Sequence, residues 1–111
     1  MEHIKAIAVY CGSKSGVKKA YVTAAQELGS QIASRGIRLI FGGGRIGLMG
    51  EVADQVLAGG GKVTGVIPHF LNDLEIAHGG VTELITVDNM HERKYIMYDK
   101  SDAFVILPGG L

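Results

Sequence analysis

Tryptophan is absent from this chain, and it has only four tyrosines and three phenylalanines. An aromatic platform for stacking single-stranded nucleic acid is not expected from so few rings. Net charge is missing as well, because 11 Lys and Arg balance 11 Asp and Glu. Attraction to nucleic acid or to an anionic membrane is therefore not expected. One cysteine, Cys11, cannot close an intrachain disulfide, which suits a reducing compartment. No apolar run approaches the roughly 18 residues of a membrane helix. The start, Met1-Glu2-His3-Ile4-Lys5, has an acid where a signal peptide carries bases. No Gly-Lys is followed by Ser or Thr, so the Walker A pattern of nucleotide-hydrolysing engines is missing. His3, His69, His78 and His91 lack metal-ligand spacing. The expectation is a cytoplasmic domain with no membrane or nucleic-acid partner, no metal and no resident cofactor.

What the chain has in excess is glycine: 17 of 111 residues, about twice the usual share of roughly 7%. A length of 111 residues fits one domain over 1–111. Five short apolar runs end at turn residues and predict strands over 5–10, 37–41, 62–67, 81–87 and 103–107. Between them run helical stripes. Tyr21, Ala24, Ala25, Leu28 and Ile32 form one, closed by Gly36. Leu48, Met49, Val52, Ala53, Val56 and Leu57 form another, closed by Gly59-Gly60-Gly61. Pro68 stops the third strand, and residues 68–80 are the least regular stretch. Asn89, with Glu92 three residues on, predicts a capped helix start. Alternating strands and helices imply a parallel sheet with helices on both faces and right-handed crossovers. Ala103–Leu107 is the most continuously apolar strand and is expected to be central. Its helical cover does not follow before Leu111, so the sequence reads as truncated after the fifth strand.

Glycine gathers at the carboxyl ends of the strands, the edge where open α/β sheets bind ligands. Gly42-Gly43-Gly44-Arg45-Ile46-Gly47 satisfies G-x-G-x-x-G between a strand and a helix. Backbone N–H groups of such a loop can meet a phosphate. A tight turn with close helix–strand packing explains the same glycines. No acid stands about 20 residues beyond Gly47, where a nicotinamide-binding domain places its ribose ligand. Cys11-Gly12-Ser13 and Pro108-Gly109-Gly110 supply two more loops at the same edge. Arg93 and Lys94 fall in the first turns of a helix that follows a strand's carboxyl end. They can offer a guanidinium fork and a point charge to a phosphate, or form a solvated helix start. Asp73 and Glu75 lie near the same edge, and Cys11 reads as a small core or loop residue.

Taken together, the motifs resemble a known family. Gly42 to Gly50 is similar to a GGG-x-x-GLMG segment, and Met90-His91-Glu92-Arg93-Lys94 to MH-x-RK. Ser101 to Phe104 with Leu107 to Gly110 is similar to SDAF…LPGG. Val9-Tyr10-Cys11-Gly12-Ser13 and Gly65-Val66-Ile67-Pro68 fit as well. By these segments the chain resembles the LOG family, cytokinin riboside 5′-monophosphate phosphoribohydrolases often mislabelled lysine decarboxylases. The resemblance implies a Rossmann-like fold of three layers, at least a homodimer, and hydrolysis of an N-glycosidic bond. The substrate is a nucleoside 5′-monophosphate such as an N6-modified AMP. Arg93 matches the catalytic arginine. Glu75, Lys94, Gly43, Gly44, Met90, Ser13, Gly109 and Gly110 match substrate-binding positions. The chain departs from the family where it stops at Leu111, inside PGG-x-GT-x-x-E. The resemblance therefore implies little or no hydrolase activity for these 111 residues alone. A different class is a non-catalytic nucleotide-binding module, such as a molybdenum-cofactor carrier. Lysine decarboxylation needs an electron-sink cofactor on a Schiff-base lysine, and no such lysine stands out.

Overall fold

A computed structural model describes residues 4–11 and 18–107. Five strands form one parallel sheet: β1 (Ala6–Tyr10), β2 (Arg38–Phe41), β3 (Val63–Pro68), β4 (Glu83–Val87) and β5 (Ala103–Ile106). Their spatial order is β4-β3-β2-β1-β5. The helices are α1 (Lys19–Ser34), α2 (Gly47–Ala58), the short α3 (Asn72–Glu75) and α4 (Met90–Lys100).

Chain direction and crossover hand explain the layers. The path steps from β1 through β2 to β3 and β4, then returns past β1 to place β5. Right-handed crossovers in opposite directions put their helices on opposite faces. Accordingly α1 and α2 cover one face. There Ala25, Ile32, Leu48, Val52 and Val56 meet Ile7, Val9, Leu39, Phe41 and Val63. On the other face, Met97 of α4 packs on Ala6, Ala8, Ile40, Val66 and Val87. Residues alternate along β1 and β2 between the two clusters, as a period-2 strand requires. Each large side chain buried this way contributes about 1.5–3 kcal/mol. The result is a Rossmann-like α/β sheet with helices on both faces, as the alternating pattern predicts.

Helix ends follow local chemistry. Gly36, at φ 67°, takes the left-handed position after α1. The Gly36 amide then donates to Ala33 and the Ile37 amide to Ile32, closing the last turn. Gly60 and Gly61 repeat this arrangement on Leu57 and Val56 after α2. At the start of α4, Asn89 Oδ1 accepts the Glu92 amide at 2.8 Å, and Glu92 Oε1 accepts the Asp88 amide at 2.8 Å.

Two details refine the expected pattern. First, β5 pairs only with β1 among the described residues. Phe104 and Ile106 are 46% and 66% exposed on the α4 face, while Ala103 and Val105 pack inward. Second, the stretch after β3, expected to be the least regular, carries short local structure. A 3₁₀ turn over His69–Leu71 runs into α3, and Ala77 makes an antiparallel bridge to Gly44.

Candidate functional site

Arg93 is the fourth residue of α4, on its buried side. The Asn89 cap fixes where that helix starts, and so which way Arg93 faces. Its guanidinium lies against the carboxyl ends of β2 and β3. Nε donates to the Val66 carbonyl at 2.9 Å. Nη2 donates to the Gly42 carbonyl and, at 2.7 Å, to Glu75 Oε1. Among the described residues Nη1 meets only the Met90 thioether, at 3.7 Å. Both charged residues of the pair are buried. Their burial is compensated by charge pairing plus two carbonyl acceptors. Arg93 therefore has its Nε and Nη2 donors committed to the protein, and Nη1 is left with a weak acceptor.

The glycine loop accommodates this cluster by having no side chains. A Cβ on Gly42 would overlap Arg93 Nη2, and one on Gly44 would stand 2.8 Å from Glu75 Cβ. Several polar groups of the loop are already used. The Gly44 amide donates to Met49 Sδ at 3.2 Å. The Arg45 amide donates to the Ile76 carbonyl at 2.9 Å, and the Gly43 carbonyl accepts the His78 amide at 2.8 Å. Gly43 lies at φ 83° and packs on Gly65 of β3.

The structure thus brings together Arg93, Glu75, Met90, Gly43 and Gly44. Lys94 does not join them. One residue further round the helix, it lines a separate hollow of about 510 Å³ with Tyr10, His91, Tyr95 and Tyr98. Tyr10 ends β1, so Lys94 stands over that strand while Arg93 stands over β2 and β3. Ser13, Gly109 and Gly110 lie outside the described residues. Because β5 runs parallel to β2, the carboxyl end of β5 lies on the same edge as Gly42–Gly47. Cys11 is half-buried, and burial pushes its thiol up to about 12, which fits a packing residue rather than a nucleophile. Burial also raises the Tyr10 phenol. Among the described residues no cluster of His, Cys, Asp or Glu could hold a metal ion. No helix there is long and apolar enough to cross a membrane.

Sequence reasoning missed three participants. Gly42 carries the carbonyl that meets Arg93, and its signal was its place directly after β2. Met49 caps the Gly44 amide by sulfur. His78 ties its segment to α2 through Asp54, at 2.5 Å, and no local spacing announces a contact 24 residues away.

The fold and the buried Arg–Glu cluster define a Rossmann-like α/β protein with a polar site at the carboxyl edge of its sheet. The chain belongs to the family described as "Possible lysine decarboxylase", whose profile matches residues 49–111. Its similarity reaches enzymes named for the LOG activity. It is 51% identical over 104 residues to a "Probable cytokinin riboside 5'-monophosphate phosphoribohydrolase" of Oryza sativa subsp. japonica, covering 94% of this chain and 46% of that protein. It is 50% identical over 106 residues to a cytokinin riboside 5'-monophosphate phosphoribohydrolase of Arabidopsis thaliana, covering 96% and 50%. The chain spans about half the length of these relatives. Among solved structures, the Moco carrier protein of Chlamydomonas reinhardtii superposes with a TM-score of 0.77 at 27% identity. That match covers 96% of this chain and 62% of the carrier. A molybdenum cofactor binding protein of Rippkaea orientalis shares the fold, with a TM-score of 0.74 at 20% identity.

Proposed function

We propose that the protein containing these residues hydrolyses the N-glycosidic bond of a nucleoside 5′-monophosphate, with AMP or an N6-modified AMP as substrate. Water adds at the anomeric carbon, and the bond to the base nitrogen breaks. The base leaves with a proton, and ribose 5-phosphate remains. The observation that carries this reading is the buried Arg93–Glu75 pair, whose Nη1 edge meets only Met90 among the described residues. That edge is a donor for a phosphoribosyl oxygen. Glu75 spends Oε1 on the arginine, which leaves Oε2 for a ribose hydroxyl. The names of relatives at about half identity support the same chemistry.

Positive charge develops on the ribose as the bond breaks, so a carboxylate beside it is worth much of the rate. The LOG resemblance assigns that role to a glutamate following Gly-Thr, and residues 1–111 contain neither in that pattern. Residues 1–111 contribute the binding groups Arg93 and Glu75 to that reaction. The test is release of the free base, adenine from AMP or the N6-substituted adenine from its own 5′-monophosphate, by the 111-residue chain and by a longer product that carries the Gly-Thr and the glutamate. Release by the longer product that falls about 100-fold or more in Arg93→Lys supports the reading. Binding without release by both would favour the second reading, a nucleotide-binding module. The Moco carrier likeness, at 27% identity, is what supports that alternative.

A further inference from the structure

Glu75 is held in place by surprisingly little of its own element. It is the last residue of the four-residue α3, whose Leu74 is exposed, as is Phe70 just before it. Such a turn has almost no packing with which to aim a buried carboxylate. The next residue, Ile76, lies at φ 53° and is the only non-glycine residue with positive φ among the described residues. A β-branched residue there is strained by about 1–3 kcal/mol and persists only where its surroundings over-determine it.

Those surroundings are a strap over residues 76–80. The Ala77 amide donates to Asn72 Oδ1, which ties the strap to the first residue of α3. The Arg45 and His78 amides join it to the glycine loop. Its tie to a long element is the His78 side chain. Nδ1 accepts the Gly80 amide at 3.0 Å, which places the imidazole proton on Nε2, and Nε2 donates to Asp54 Oδ1 on α2. The ring stands edge-on to Phe41 of the core, with centroids 6.5 Å apart. His78 is thus sheltered although Asp54 is largely exposed, and their hydrogen bond crosses from the strap to a twelve-residue helix.

We propose that Asp54 and His78 are positioning residues for the Arg93–Glu75 site. They pin the strap to α2, and the strap then holds Glu75 against Arg93. Neither residue touches the guanidinium. The consequence for ligand affinity rests on the reading that this site takes a nucleotide, whereas the consequence for Arg93 geometry does not.

The experiment compares Asp54→Ala, Asp54→Asn and His78→Gln with the unaltered 111-residue chain by NMR. Amide exchange is followed at Arg45 and His78, side-chain exchange at Arg93 Nε–H, and AMP binding by titration. Asp54→Ala should speed exchange at all three sites about tenfold or more, while amides of α1 hold their rates. AMP should bind about tenfold more weakly for the same reason. Asp54→Asn keeps the acceptor oxygen and should restore all of these readouts in large part. Faster exchange at Arg45 and His78 with Arg93 Nε–H unmoved would overturn the proposal, because the pair would then serve the strap alone. Unchanged exchange everywhere would overturn it as well. If the unaltered chain binds no AMP, the nucleotide reading fails for these residues, and Arg93 Nε–H still decides the positioning role. His78→Gln repeats the test from the other partner if Asp54→Ala does not fold.

Discussion

Arg93 Nη2 and Glu75 Oε1 meet at 2.7 Å across 18 residues of sequence, and both are buried. Removing one partner leaves the other charge without compensation. Arg93→Met or Glu75→Gln should each destabilise the chain, by about 3–5 kcal/mol for a fully uncompensated charge. The double variant should lose less than the sum, with a coupling of about 1 kcal/mol or more. Urea unfolding of the four proteins measures this, and strict additivity would mean the pair is not coupled.

Gly65 and Gly36 should respond differently to alanine. A Cβ on Gly65 would sit 2.8 Å from Gly43 Cα and 3.1 Å from the Phe41 ring. Gly65→Ala should push the glycine loop off β3, with an overpacking cost of about 1–3 kcal/mol and loss of AMP binding. Gly36 has open space around it and only its φ of 67° to defend. Gly36→Ala should cost about 1 kcal/mol and leave binding intact. Thermal unfolding with calorimetric titration separates the two outcomes.

Asp102 ties the start of β5 to the start of β1. Its Oδ2 accepts the Lys5 amide at 2.8 Å and the Ala6 amide at 3.0 Å. These two donors, the Lys5 amide foremost, hold its carboxyl below the usual value of 3.8. A depressed carboxylate stabilises the fold fully above the unfolded value, and that contribution disappears as pH falls through the folded one. Acid unfolding should therefore be steeper in the unaltered chain than in Asp102→Asn below about pH 4. Parallel pH titrations of the two by circular dichroism test it.

The Cys11 thiol, raised to about 12 by burial, should be almost wholly protonated at pH 8. Alkylation by iodoacetamide should run at least tenfold slower than for a free cysteine of ordinary pKa, about 8.5. Denaturant should abolish the difference. Fast labelling in the folded state would show that the β1 end opens readily.

Strand positions were legible because each apolar run is brief and ends at a turn residue. The ends differ for physical reasons. The ladder of β4 begins at Glu83 rather than Val81, because the Val63 amide donates to the Thr82 hydroxyl, and regular pairing starts one residue later. The cap on α4 was legible because Asn89 and Glu92 are three apart. Lys94 shows the limit of motif adjacency. Arg93 and Lys94 are sequence neighbours, but about 100° of helical rotation sends them to different surfaces. The Glu75–Arg93 pair and the His78 strap depend on tertiary contacts that no local period encodes.

The order β4-β3-β2-β1-β5 also sets a schedule for folding. β2, β3 and β4 each lie beside the strand before them, so pairing grows one crossover at a time. The partner of β5 is β1, and Ala6 and Asp102 are 96 residues apart. Closing an unstructured loop of that length costs about 4 kcal/mol of chain entropy, so β5 docks once the intervening strands have collapsed and shortened the gap. Pulsed hydrogen exchange during refolding should find the amides of β2 and β3 protected early and those of β5 last. Protection of β5 ahead of β3 would reverse that schedule.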